Sequence, residues 1–195
     1  MCQRPLAVFA LAPAWLVALG GLFAPAQLRA TPSVEAPDYG ALPTAPLDSV
    51  FHIEKSENRN QVHYGVKVDA ACHPIGPQPV YGYWRDLEKG PRATSPILSH
   101  EQIAYGLNEP RSIQINPGGG RIRISLRGFP ERALFIDTLR QGPACVARAQ
   151  TSIGGQMAVL QSIYVKIGFL FSVDYAMVRG LRVSDRRQVQ EKVHD

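Results

Sequence analysis

The chain has 195 residues, 45% of them hydrophobic, and a formal net charge of +5 at pH 7. This length and composition predict one globular domain with a processed or disordered end. The modest positive charge favours anionic partners without specifying a fold, and the lack of a second long apolar run excludes a chain with several membrane spans.

The first segment has the layout of a secretory signal peptide, which we predict over residues 1–26. A short basic start, Met1–Arg4, precedes the apolar run Leu6–Phe23, and Ala24-Pro25-Ala26 offers small residues at the cleavage spacing. An uncleaved membrane anchor is the alternative, because about 20 apolar residues can span a bilayer. Cleavage is favoured since small residues follow at once, so we expect an exported protein, periplasmic or secreted, that is membrane-tethered only if the signal is retained.

Residues 27–47 are rich in Pro and Ala, and we predict an extended linker because proline excludes regular helix and central strand. A β-rich domain is expected over residues 48–181. It opens with two alternating runs, Val50–Lys55 and Gln61–Asp69, on either side of a polar turn. This pattern predicts a β-hairpin with one apolar face.

Further strands and one short helix are predicted after the hairpin. Val80–Arg85 is an aromatic strand, Pro91–Pro96 is a loop, and Ser99 is placed to cap a short helix that ends at Tyr105. The second half alternates strands with turns that contain Gly or Pro, namely Ser112–Asn116, Arg121–Arg127, Ala133–Arg140, Ala144–Ser152, Met157–Ile167 and Leu170–Val178. Strands at this spacing without long helices predict a mainly β fold, a single antiparallel barrel or sandwich.

The C-terminal tail, residues 182–195, is highly charged. Val189 and Val193 lie four positions apart in it, which favours at best a short surface helix. We therefore place the tail outside the predicted β-rich domain.

Four segments carry a family resemblance: FHIEKSENRNQVHYGVKV, PVYGYWRD, HEQIAYGL and VDYAMVRG. They resemble an uncharacterised bacterial family, the domain of unknown function numbered 4833. The resemblance runs from about Val50 to Gly180, and its strongest elements are Asn58 with Asn60, Pro79-Val80 with Trp84, and Ala104-Tyr105-Gly106. It implies an exported, β-rich single domain. It implies no activity, so no catalytic residue is carried over.

His52, Glu54 and His63 lie on the polar face of the predicted hairpin. If Ser56 pairs with Gln61, Glu54 faces His63 and His52 is its diagonal neighbour. Two imidazoles and a carboxylate could hold zinc or act as a general acid and base. A solvated or hydrogen-bonded trio is the favoured interpretation, because no metal-binding spacing such as HExxH supports the cluster. We assign no catalytic residue and expect no cofactor.

Arg121, Arg123 and Arg127 are predicted on one face of a strand whose other face is Ile122, Ile124 and Leu126. A basic stripe of this kind could bind an anionic envelope surface such as lipid head groups or anionic glycans. A solvated sheet face is the favoured alternative, since charged outer faces are normal in antiparallel sheets. Nucleic acid is not expected as a partner, because the stripe lacks interleaved aromatics and the chain is predicted to be exported.

Five aromatic residues of the first half are candidates for a ligand cavity: Tyr64, Tyr81, Tyr83, Trp84 and Tyr105. Binding sites for small apolar or lipid-like ligands are mostly apolar with a few polar groups. Core packing explains these residues equally well.

Removal of the signal peptide would leave two cysteines, Cys72 and Cys145. An even pair in an exported protein is a candidate disulfide, and this one would join the two halves of the domain. Two unpaired thiols, one buried as a small hydrophobe, are the alternative.

Three functions stay open from the sequence. We favour a non-enzymatic binding module for a small apolar or lipid-like ligand. The alternatives are an envelope interaction protein that uses the basic stripe, and a metal-dependent enzyme built on His52, Glu54 and His63. The fold class cannot decide among them, because function resides in sites. The sequence does not define the oligomeric state.

Overall fold

The fold is mainly β, as predicted, with one short helix. The computed structural model describes residues 42–108, 110–169 and 172–194, so the predicted signal peptide lies outside the described residues. The described elements are β1 (Phe51–Lys55), β2 (Gln61–Val66), β3 (Val80–Arg85), β4 (Thr94–Pro96), α1 (Gln102–Tyr105), β5 (Ser112–Asn116), β6 (Gly119–Leu126), β7 (Phe129–Gln141), β8 (Ala144–Ile153), β9 (Gln156–Ile167), β10 (Val173–Arg182) and β11 (Gln188–Val193). The helix is too short to cross a membrane, and the described residues contain no longer one.

The sheet forks at β9. Along one edge, residues 156–159 of this strand pair with β8 and residues 162–165 pair with β1, while β10 pairs along the opposite edge. One branch continues from β1 to β2, β3 and β4, and the other continues from β8 to β7, β6 and β5, with β11 outside β10. The sheet is not closed, so the structure agrees with the sandwich and not with the barrel. The pair β1–β9 is parallel, a departure from the predicted antiparallel fold.

Both branches contribute alternate residues to one hydrophobic core. Phe51 and Ile53 of β1 and Tyr64 of β2 share this core with Ile122 of β6 and Ile136 of β7. The opposite faces of the same strands are polar, as period-two alternation requires. The apolar faces of the two branches therefore pack on each other, which leaves two outer faces available for binding.

The first hairpin pairs in a different register from the predicted one. His52 lies opposite His63 and Glu54 lies opposite Gln61, so the predicted pairing of Ser56 with Gln61 is wrong. The turn spans residues 55–60, because the last pair of this ladder is Glu54 with Gln61. As a result the two histidines face each other directly.

Three other local predictions need correction. β4 lies inside the predicted loop, and α1 begins at Gln102 with Glu101 at its N-cap, so Ser99 does not cap it. The tail forms the strand β11 instead of a helix, with Val189 and Val193 packed against the core. A spacing of four residues fits both a helical face and a strand face, and pairing with β10 decides in favour of the strand.

The end of the predicted linker is hydrogen-bonded to the domain. Ala45 and Ala147 exchange two backbone bonds of 2.7 and 3.0 Å, and the Val66 N–H donates to the Leu47 carbonyl at 2.7 Å. β9 pairs with β8 only through residues 156–159 and then pairs with β1, so it does not cover the edge of β8 at Ala147. Ala45 pairs with Ala147 at this edge. The bonded domain thus begins before Asp48.

Candidate functional site

The disulfide between Cys72 and Cys145 is present, with its Cα atoms 5.4 Å apart. The bridge ties the loop after β2 to the start of β8. The Thr138 hydroxyl donates to the Cys72 carbonyl at 2.7 Å and accepts the Gly120 N–H at 2.9 Å. These bonds position the loop against the opposite branch, so the predicted link between the two halves is confirmed.

The predicted His/Glu cluster lies on the outer face of β1 and β2. The His52 and His63 rings stack with centroids 5.2 Å apart, and the His52 Nε2–H donates to Glu54 Oε1 at 2.9 Å. The other Glu54 oxygen lies 3.8 Å from Arg179. The carboxylate is therefore shared between an imidazole and a guanidinium.

His63 is held as a neutral ring. The pKa of His63 is lowered from 6.5 to about 4, mainly by burial and also by the nearby positive groups of His52 and Arg85, while Asp48 opposes the shift. Its Nε2–H donates to Gln61 Oε1 at 3.0 Å, and its Nδ1 accepts the Ser49 hydroxyl at 2.6 Å. Both ring nitrogens already have partners.

This arrangement gives little support to zinc binding. A ligating imidazole needs a nitrogen lone pair, and the one on His63 Nδ1 is occupied by Ser49. Among the residues that the structure describes, no three His, Cys, Asp or Glu side chains are grouped to hold a metal ion. The geometry resembles the hydrogen-bonded trio that the sequence favoured.

The neutral His63 predicts an acid-sensitive fold. Between pH 6.5 and 4 the unfolded chain binds a proton that the folded chain does not, so stability present above pH 6.5 is lost as the pH falls. We expect the free energy of unfolding to drop by about 2 kcal/mol from pH 7 to pH 5 through this residue. Urea unfolding of wild type and H63Q at both pH values measures the drop. An equal drop in H63Q would contradict the assignment.

The five candidate aromatics occupy three settings, namely the core around α1, the outer face of the sheet, and a cleft beside α1. Tyr64 and Trp84 are buried in the core and hold α1, whose last residue is Tyr105. The Tyr64 hydroxyl donates to the Tyr105 carbonyl at 2.8 Å, and the Trp84 indole donates to Glu101 at 2.7 Å. Burial raises the pKa of the Tyr64 hydroxyl well above its usual value, so it stays a donor. Tyr83 lies on the outer face beside His63.

Tyr81 and Tyr105 line a cleft of about 300 Å³ between β3, α1 and the end of β6. Gly65 makes room for Tyr81, because a Cβ there would lie 2.6 Å from the ring. The cleft floor includes Val80 and Ile124. The remaining described lining residues are Lys67, Gln78, Pro79, Gly82, Ile97, Gln102, Gly106, Leu107, Asn108, Pro110 and Arg127.

The predicted basic stripe is divided by the structure. Arg121 binds Asp137, with Nη2 and Oδ2 2.9 Å apart, and Arg123 remains on the same outer face. β6 ends at Leu126, so Arg127 lies in the next turn and borders the cleft instead of extending the stripe. The predicted placement of Arg127 on the strand face is thus wrong.

Two cationic residues were not singled out by the sequence. Arg148 of β8 lies opposite Asp137 of β7 and is on the same outer face as Arg121. The alternation of Ala147, Arg148 and Ala149 in the sequence indicates this outward position. Lys67 lines the cleft, and as one exposed lysine after a strand it gave no local signal.

These features define a mainly β, disulfide-bridged sandwich with a small cleft between β3, α1 and the end of β6. The chain belongs to the family described as domain of unknown function 4833 (DUF4833), whose model matches residues 51–192. No curated protein and no solved structure shows significant similarity to the chain.

Proposed function

We propose that the protein is a binding module whose cleft holds a small, lipid-like ligand with an anionic group. The observation that carries the proposal is the charge of the lining. Lys67 and Arg127 are the two charged groups among the described lining residues, and both are exposed cations. A ligand anion placed between them would gain charge complementarity without facing a lining carboxylate.

The apolar part of the cleft suits a hydrocarbon chain. Val80 and Ile124 belong to the buried core, and Ile97 and Leu107 pack against it. Tyr105 adds an aromatic wall with a polar tip. A volume of about 300 Å³ is at the low end for small-molecule sites, which favours a single chain over a two-chain lipid.

Calorimetry with dodecanoate tests the proposal. We expect the wild-type protein to bind one dodecanoate below its micelle concentration and to bind dodecyltrimethylammonium, which has the same chain and opposite charge, much more weakly. In K67A/R127A the affinity for dodecanoate should fall about tenfold, the result of losing about 1.4 kcal/mol of charge interaction.

The matched control is R59A/R92A, which removes the same charge from exposed positions outside the cleft lining. It should bind dodecanoate like the wild type. Equal binding of both amphiphiles, or equal losses in the two double variants, would contradict an anion site in the cleft.

The other two hypotheses have less support. Arg121 is already bound to Asp137, and Arg148 is buried, so the basic outer face offers fewer accessible cations than the sequence suggested. The metal-dependent enzyme would have to displace the Ser49 bond of His63.

We also propose that the protein works after export, in the periplasm or outside the cell. The N-terminal sequence pattern supports this, and a disulfide fits an oxidising compartment. The intact mass of the native protein, which is reduced by residues 1–26 if the predicted signal is cleaved, tests the proposal.

A further inference from the structure

The described sheet ends in three edge strands that differ in their protection. β4 has three residues and ends in Pro96, and β11 carries Glu191 and Lys192. Short length, proline and charge are the usual means of keeping an edge strand from pairing with another chain. β5, with the sequence SIQIN, has none of them, and all five of its residues are exposed.

The backbone of β5 offers free hydrogen-bonding groups at two isoleucines. Asn116 pairs with Gly119 across the two-residue turn that closes the hairpin, so the pairs of Gln114 and Ser112 with β6 are also hydrogen-bonded pairs. The N–H and C=O groups of Ile113 and Ile115 therefore point away from β6. Among the described residues, no hydrogen bond to these groups is found on the outer edge.

The side chains of the same two residues form an apolar surface. Ile113 is 38% exposed and Ile115 is 53% exposed, and both project on the side of the sheet that carries the buried Ile122. An exposed apolar pair beside free backbone groups is the composition of a strand-pairing site.

The sequence of β5 is nearly the same in both directions around Gln114. In an antiparallel pair of two copies centred on this residue, Ile113 of each copy faces Ile115 of the other, and Ser112 faces Asn116. The outward backbone groups lie at these two isoleucine positions, so the register forms four new hydrogen bonds. It also places the four isoleucines in contact on one face and no charged residues opposite each other.

We propose that β5 is a self-pairing edge through which two copies of the chain form a symmetric dimer. Both copies use the same strand, so the contact is isologous and closes after two subunits. The protected edges at β4 and β11 prevent growth into a longer assembly. The cleft is not required for this contact.

Cysteine cross-linking tests the register. In the proposed dimer Gln114 faces its own copy in a non-hydrogen-bonded pair, where Cα atoms are about 4.5 Å apart and a disulfide can form. Q114C should therefore form a covalent dimer on mild oxidation. S112C is the matched control, because position 112 has the same exposure and face but meets position 116 of the second copy.

A charge pattern tests the same contact in solution. I113K/I115K sets lysines opposite lysines and should sediment as a monomer. I113K/I115E sets each lysine opposite a glutamate of the second copy and should restore the dimer. Unchanged circular dichroism would show that both variants fold. A wild-type protein that is monomeric up to its solubility limit, or equal cross-linking of S112C and Q114C, would overturn the proposal.

Discussion

Replacing both bridged cysteines in C72A/C145A should lower the free energy of unfolding by about 4 kcal/mol. The bridge joins residues 73 positions apart, and the cross-link restricts the unfolded chain more than the folded one. Cys72 is fully buried, so the alanine also loses packed sulfur. Urea unfolding of wild type and double variant without reductant measures the difference. Thiol titration of the denatured, unreduced protein without residues 1–26, which include Cys2, should find no free thiol.

Reductant provides the internal control for this prediction. It should destabilise the wild type and leave C72A/C145A unchanged, because that variant has no bond to reduce. A non-reducing gel separates the intramolecular bridge from one between two chains. Two free thiols per chain, or equal stability of the two proteins in oxidising buffer, would contradict the bridge.

The sequence predicted elements well where alternation and turn residues agree. β3 and β5 have the predicted bounds, because the aromatic run of β3 and the alternating run of β5 each lie between segments that contain Pro and Gly. The bridge followed from cysteine number and predicted export. The helix predicted in the tail is wrong, because two valines four positions apart fit both the helical and the strand period. Only the pairing with β10 shows that this segment is a strand.

The candidate site depends on contacts that no local pattern contains. Lys67, Tyr81, Tyr105 and Arg127 come from four separate segments, and they meet because the two branches of the sheet fold over one core. The hairpin register, which places His52 opposite His63, is likewise not specified by the alternating pattern of either strand. Tertiary pairing decided both results, so sequence reasoning found some of the residues but not their grouping.

Phe51→Ala should lower the free energy of unfolding by about 3–5 kcal/mol, the usual cost of truncating a buried phenylalanine. Phe51 is 2% exposed, and its ring stacks on Tyr64 with centroids 4.5 Å apart. The alanine leaves a cavity beneath Tyr64. Because the Tyr64 hydroxyl holds the Tyr105 carbonyl, we also expect weaker dodecanoate binding under conditions where the variant stays folded.

Phe169→Ala is the matched control, because Phe169 is 85% exposed. It deletes the same atoms as Phe51→Ala, but from the protein surface instead of the core. Its free energy of unfolding should change by less than about 0.5 kcal/mol, as for most surface substitutions. Phe51→Leu retains most of the buried volume and should be the less severe core change. If Phe51→Ala and Phe169→Ala unfold at the same urea concentration, β1 does not contribute to the core as described. If Phe51→Ala is destabilised but binds dodecanoate like the wild type, Tyr64 does not position the cleft wall.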